Sequence, residues 1–238
     1  ANVSYIGFNF NDSLLKQHKF RKSLTLAVDR QSLIKHFLND KTRVAEQILP
    51  PEHWAHEKIN TLNYNPSLAR KYIKQLAIDE PIVLTLKTST DPFRVKIATL
   101  IQKQFDSIGI KLIIKSLDWG TYFKDIQAGK FQLYGLTWVG IRNPEIYEKI
   151  FNSKLIPPEG LNRAGYSNQE TDALITNAKE SNLWNKVIKK INADNAFMPL
   201  WFEGNFAAFN NNISGYYIHT DGSWDALTTV RKKYDDFN

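Results

Sequence analysis

Residues 82–138 alternate between two hydrophobic periods, and this alternation restricts the fold more than any other stretch of the chain. Ile82–Lys87 is a short β-branched run, Asp91–Ser107 places Val95, Ala98, Ile101 and Phe105 on one helical stripe, and Gly109 closes it before a second strand, Ile110–Lys115. Asp118-Trp119-Gly120 leads into a helix over Thr121–Gln127, Gly129 terminates that helix, and Phe131–Trp138 forms a third strand. Successive strand-helix-strand units need crossover connections, and crossovers make neighbouring strands parallel. The expected fold class is therefore α/β, a mainly parallel mixed sheet flanked by helices on both faces.

The rest of the chain fits around that unit. Ser4–Phe10 reads as a strand by its aromatic and β-branched content. Phe20, Leu24, Ala27 and Val28 fall at helical spacing, and Asp29 can cap a second helix carrying Leu33, Ile34, Phe37 and Leu38. An irregular stretch from Leu49 ends at Asn65-Pro66, a cap and opening residue for a helix over Ser67–Leu76. Helices are expected over Pro144–Phe151, Asn168–Glu180 and Leu183–Asn192, a strand pair or one long strand over Met198–Phe209, and turns over Ile213–Asp221. A chain of 238 residues can hold one large α/β domain or two small ones, and it carries no internal repeat or flexible linker.

Composition excludes several function classes. With no cysteine, a thiolate metal site, a disulfide framework and a cysteine nucleophile are all ruled out. The formal charge of +7 favours anionic partners, but the lysines and arginines are spread at spacings that suit solvated helix faces, so no nucleic-acid partner is expected. Glycines form no phosphate-cradling loop, and no Gly-x-Ser-x-Gly elbow or acid/base pair marks a catalytic centre, so an enzyme is not expected. His53 and His56 could share a helix face and suit a metal, but Pro50-Pro51 makes their segment a loop, and neither a metal nor a cofactor is expected. No apolar run approaches the roughly 20 residues of a membrane helix.

The signal that remains is aromatic. Leu133–Tyr147, LYGLTWVGIRNPEIY, is a buried strand that ends in Trp138 and leaves through a turn carrying Arg142 and Asn143. In α/β sheets such an exit is where ligands commonly bind, and an apolar wall with a few polar groups suits a pocket. Trp119, after the preceding strand, and Trp201 occupy similar positions.

Ordered blocks across nearly the whole chain resemble the family 5 extracellular solute-binding proteins of ABC importers, the oligopeptide, dipeptide and nickel binders. The blocks are YIGFNFND, HKFRKSLTLAVDRQSLI, ILPPEHWA, YNPSLARKYIKQL, IGIKLIIKSLDW, GKFQLYGLTWVG, NRAGYSNQETDALI and FMPLWFEGNFAAF. The resemblance implies a type II periplasmic binding protein lobe, with residues 1–238 as the second, C-terminal lobe of a two-lobe protein about twice as long. Residues 1–10 and 199–209 would be hinge-type strands, with Asn9 and Glu203 near the hinge, and 210–238 would return to the first lobe. The implied partners are a peptide or peptide-like solute, held in an interlobe cleft, and membrane permease subunits, with the protein itself a periplasmic or extracellular, membrane-associated monomer. A metal or metallophore carrier of the nickel type is the alternative on the same fold.

The resemblance places the cleft at Trp138, Gly140, Ile141, Arg142 and Asn143, with Trp119, Thr88, Asn162 and Arg163 nearby. One departure stands out. Peptide binders of this family often carry Trp-x-x-Asp before a proline, the Asp pairing with the peptide's α-ammonium. In Trp138–Pro144 the acid's place falls on Ile141 or Gly140, and neither is acidic. Arg142 would suit a carboxylate or phosphate instead, and the backbone of Leu136–Gly140 would suit an extended ligand by strand addition.

Overall fold

A computed structural model of the chain describes residues 1–38, 42–78, 81–219 and 223–232. Its main sheet is built from β1 (Val3–Phe8), β2 (Arg43–Val44), β3 (Ile82–Ser89), β4 (Ile110–Leu117), β5 (Leu133–Trp138) and β6 (Phe197–Phe202), in the order β2-β6-β1-β5-β3-β4. Strands β5, β3 and β4 are parallel, as the crossovers over residues 82–138 require. β1 runs antiparallel to both β5 and β6, which makes the sheet mixed, and every residue of β1 and β6 is buried. β4 lies at the sheet edge and alternates buried Ile110 and Leu112 with exposed Lys111 and Lys115, charges that discourage edge pairing with another chain.

Helices cover both faces. On one face α1 (His18–Ala27), α2 (Arg30–Phe37), α3 (Pro66–Gln75) and α4 (Pro92–Asp106) bury Phe20, Leu24, Leu33, Ile73 and Phe105 against the sheet. On the other, α5 (Trp119–Gln127), α6 (Ile146–Phe151), α7 (Gln169–Ser181) and α8 (Asn185–Ala193) bury Tyr122, Tyr147, Phe151, Ile175 and Ile188. The helix starts follow from the sequence: Asp29, Asn65, Asp91, Asp118 and Asn168 each turn a side-chain oxygen back onto a free backbone N–H of the first turn.

Two buried arginines, Arg21 on α1 and Arg30 on α2, fasten neighbouring loops and the strand β6. Arg30 Nη1 donates to Ala45 O at 2.9 Å and Pro199 O at 3.1 Å, and Nη2 to Leu62 O at 2.7 Å. Arg21 donates to the carbonyls of Leu15, Lys16, Asp194 and Asn195. Burial pulls the Arg21 guanidinium down to about 10, which leaves it charged at neutral pH. The five-donor fork of arginine lets one side chain fasten several loops whose carbonyls would otherwise be buried without partners.

The final strand is shorter than expected. Regular pairing stops at Phe202 rather than running to Phe209, because β1 ends opposite it: Val3 pairs with Phe202, and Glu203 N makes one last bond to Asn2 O at 2.9 Å. Residues 203–209 have no strand partner, and the expected strand there is corrected to an irregular segment. The chain then forms a small ribbon of β7 (Ile213–Ser214) and β8 (Arg231–Lys232). Positions 220 and 221 of the expected turn region, and the tail from 233, lie outside the described residues.

Candidate functional site

The C-terminal ends of β3, β4 and β5 point to one edge of the sheet, and the antiparallel β1 and the end of β6 bring Ala1–Val3 and Phe202–Asn205 to that same edge. Pairing between β5 and β3 covers only Leu133 and Tyr134 on β5, after which the strands separate. Alternate residues of a strand turn their backbone groups to the same side. Gly135 O, next on the β3 side, accepts from the Tyr122 hydroxyl. Burial raises the Tyr122 phenol above its ordinary range, so it stays a neutral donor. Thr137 follows on the same side and turns its N–H and C=O into the split.

Beneath the split is a cavity of about 80 Å³, lined by Ile97 and Ile101 of α4, Leu86 and Thr88 of β3, and Leu136 and Leu200. Its wall also carries Arg94 and Glu203. Glu203, expected near the hinge, lies on this wall, and nothing in its local sequence shows where its side chain is held. Ser4 Oγ donates to Glu203 Oε1 at 2.7 Å and Thr137 Oγ1 donates to the same oxygen at 2.9 Å. Ser4 and Thr137 are directly opposite across the β1–β5 pair, so the carboxylate is anchored on both strands.

The expected site residues divide into groups. Thr88 is buried on the cavity wall. Trp138 contributes its backbone to the edge, but its side chain turns to the opposite face and is only 9% exposed. It stacks on Tyr5 with ring centres 5.7 Å apart and 4° between planes, and the Arg163 guanidinium covers it at 4.8 Å. Arg163 also lies 5.3 Å from the Phe123 ring, and Phe123 stacks on Trp119 at 5.6 Å. Trp119, Arg163 and Trp138 thus join one continuous stack through Phe123, and Trp119 is its exposed end at 55%.

Gly140, Arg142 and Asn143 are exposed on the loop after β5, while Ile141 is buried. Gly140 has a φ of +71°, a conformation that favours glycine, and its N–H donates to Asn2 Oδ1 at 2.9 Å. The Ile141 backbone is already engaged with Ala1 in both directions, so it is not open to a ligand. Arg142 lies 3.7 Å from Asp225, and its carbonyl meets His53 Nε2 at 2.9 Å.

Two other expected residues are engaged in local bonds. Asn162 is fully buried, and its amide closes its own loop: Nδ2 donates to Asn152 O and Tyr166 O, and Oδ1 accepts from Tyr166 N. Both polar atoms of its side chain are engaged within that loop. Asn9 follows the far end of β1, where Nδ2 donates to Gly129 O and Phe131 O, so the length of a strand separates it from Glu203. Both histidines of the close pair also have loop-holding roles: His53 Nδ1 accepts from Ala55 N, and His56 Nδ1 meets Leu49 O at 3.0 Å. Among the described residues no group of three or more histidines or carboxylates converges as a metal site would require.

The model for bacterial extracellular solute-binding proteins, family 5, middle region, matches residues 1–152. The chain belongs to this family. The family 5 chain is 28% identical over 240 residues to the oligopeptide-binding protein AppA of Bacillus subtilis (strain 168), a match covering 90% of this chain and 44% of AppA. The solved structure of AppA from Bacillus subtilis in complex with a nonapeptide superposes with a TM-score of 0.84 at 24% identity, over 97% of this chain and 50% of that one. NikZ from Campylobacter jejuni, solved in complex with Ni(L-His), gives 0.81 at 19% identity, over 97% of this chain and 52% of that one. The family 5 chain therefore has the type II periplasmic binding protein fold and spans about half the length of the relatives it matches. Those relatives are binding proteins, not enzymes. Among the described residues no helix is long and apolar enough to cross a membrane.

Proposed function

We propose that this chain is one lobe of the substrate-binding component of an ABC importer, which holds a peptide or peptide-like solute between two lobes and delivers it to a membrane permease outside the cytoplasm. The observation that carries this reading is the split between β5 and β3, where Thr137 offers one N–H and one C=O at the C-terminal edge of the sheet. An extended backbone can add to such an edge as a short strand, and the cavity beside it can take one side chain. The peptide-binding names among the relatives support that solute class. His53 and His56, whose rings fasten their own loop, give the metal-carrier alternative no comparable feature.

The segment after β6 supports the two-lobe arrangement. Phe206 is 85% exposed and Trp224 is 74% exposed, and with Phe209, Tyr216, Ile218 and Leu227 they line a wide apolar hollow. So large an apolar surface needs a cover, and in this reading the first lobe provides it.

Mass spectrometry of small molecules that copurify with the two-lobe protein tests the solute class. Peptides are the expected result, and a nickel or metallophore complex in their place would overturn the reading. Calorimetry tests the arrangement: residues 1–238 alone should bind a peptide pool weakly or not at all, because half of the cleft is missing. Tight binding by this lobe would contradict a shared interlobe site.

A further inference from the structure

We infer that the helical face made by α1, α3 and the C-terminal half of α4 docks on a bilayer surface carrying acidic lipid headgroups; this goes beyond the importer reading and takes from it only the place of work, outside the cytoplasm beside a membrane. Basic residues are spread along the sequence, but the fold gathers Lys19 and Lys22 of α1, Arg70, Lys71 and Lys74 of α3, and Lys103 of α4 on one side of the sheet. Two bonds show that they share a surface. Lys19 Nζ donates to Gln75 Oε1 at 3.3 Å, joining α1 to α3, and Arg70 Nη1 donates to Ser107 O at 3.0 Å, joining α3 to the end of α4. Arg70, Lys71 and Lys74 also line an open hollow with Ser67 and Gln75, and no carboxylate stands in its wall.

The two helical layers differ in how their charge is balanced. Asp106 is the one acid within α1–α4, and Asp79 and Glu80, which follow α3 in sequence, leave the six basic groups in excess. Among the described residues none of the six is in an ion pair. On the other layer, α5–α8 hold Asp125, Glu148, Glu170, Asp172 and Glu180, and Lys179, Lys189 and Lys190 each meet a carboxylate at 2.8 or 2.9 Å. Like charges gathered without partners repel one another, and an anionic surface relieves that repulsion.

The chemistry of the face favours a bilayer over a protein. No large apolar side chain is exposed on α1, α2 or α3, and five of the six basic groups are lysines. Protein interfaces are anchored by aromatic and arginine side chains and are poor in lysine, whereas lysines act as point charges toward a diffuse layer of headgroups. The position suits docking as well. From the C-terminal end of β3, α4 runs back to the start of the parallel β4, so Lys103, and Arg70 bonded near it, lie away from the edge where the solute is placed, and that edge stays open.

The test is cosedimentation of the two-lobe protein, without added solute, with vesicles of equal parts phosphatidylglycerol and phosphatidylcholine or of phosphatidylcholine alone. At about 0.1 M salt the native protein should partition to the acidic vesicles about 10-fold more than to the neutral ones. At about 1 M salt, where the screening length falls to about 3 Å, that preference should vanish. Lys71→Gln, Lys74→Gln and Lys103→Gln together should weaken acidic-vesicle binding by about 10-fold or more, whereas Lys124→Gln, Lys149→Gln and Lys186→Gln, at exposed positions of the other layer, should weaken it by less than about 2-fold. Equal losses in the two triple variants would mean that net charge acts without regard to face, and would overturn the inference. So would a native protein that ignores acidic vesicles, or that sediments only with membranes of its own cells and is released by protease treatment of them, which would give the face to a protein partner. Docking by a protein that copurifies with no peptide-like solute would count against the importer reading alone.

Discussion

Arg30→Met should lower the unfolding free energy by about 3 kcal/mol, seen as a lower urea midpoint at unchanged slope. The substitution keeps most of the volume but withdraws the donors from Ala45 O, Pro199 O and Leu62 O, which belong to three separate stretches of chain. A buried carbonyl left without a donor costs about 1 to 3 kcal/mol, and removing a buried charge returns part of that total. Lys71→Ala, at an exposed position on α3, should change stability by no more than about 0.5 kcal/mol. An Arg30→Met protein with an unmoved midpoint would mean that the guanidinium does not fasten these loops. The same residue explains part of the sequence signature in HKFRKSLTLAVDRQSLI, since Arg21 and Arg30 are the two arginines of that block with buried carbonyl partners.

Trp138→Ala should cost about 3 to 5 kcal/mol, the usual range for truncating a buried aromatic residue. The loss combines contact with Tyr5, cover from Arg163 and a cavity within the core on the α5 side of the sheet. Trp119→Ala, at the exposed end of the same stack, should cost about 1 kcal/mol or less. Thermal or urea unfolding of the two variants separates a core role from a ligand-wall role. Unchanged stability for Trp138→Ala together with lost solute binding would restore Trp138 as a wall of the cleft.

The two tryptophans show which information was local. Both stand at strand exits and look alike in sequence, but Trp119 opens α5 whereas Trp138 is the last residue of β5, where the face taken depends on strand register and a shift of one residue exchanges the faces. Thr88 on the cavity wall, and Trp138 with its neighbours at the sheet edge, follow from the strand-helix alternation over residues 82–138, because parallel strands bring their C-terminal ends together. The antiparallel partners do not follow from it. β1 pairs with β5 and β6 far along the chain, and no hairpin turn announces either pairing. For that reason the Ser4, Thr137 and Glu203 cluster was illegible, its three residues lying on three strands. Asn162 misled in the opposite sense. A polar residue beside Arg163 looked available, whereas its amide is what closes the 152–166 loop.

The central claim is that the solute docks at the edge formed by the ends of β3, β5 and β6, with the Thr137 backbone as a pairing partner. Amide hydrogen exchange on the two-lobe protein, with and without a bound peptide, tests it most directly. New protection is predicted at Thr137–Gly140 and around Glu203, with none at Asn9–Asn11 or Gln127–Gly129 on the opposite edge. Protection confined to that opposite edge, or unchanged exchange at Thr137 with peptide bound, would contradict the account.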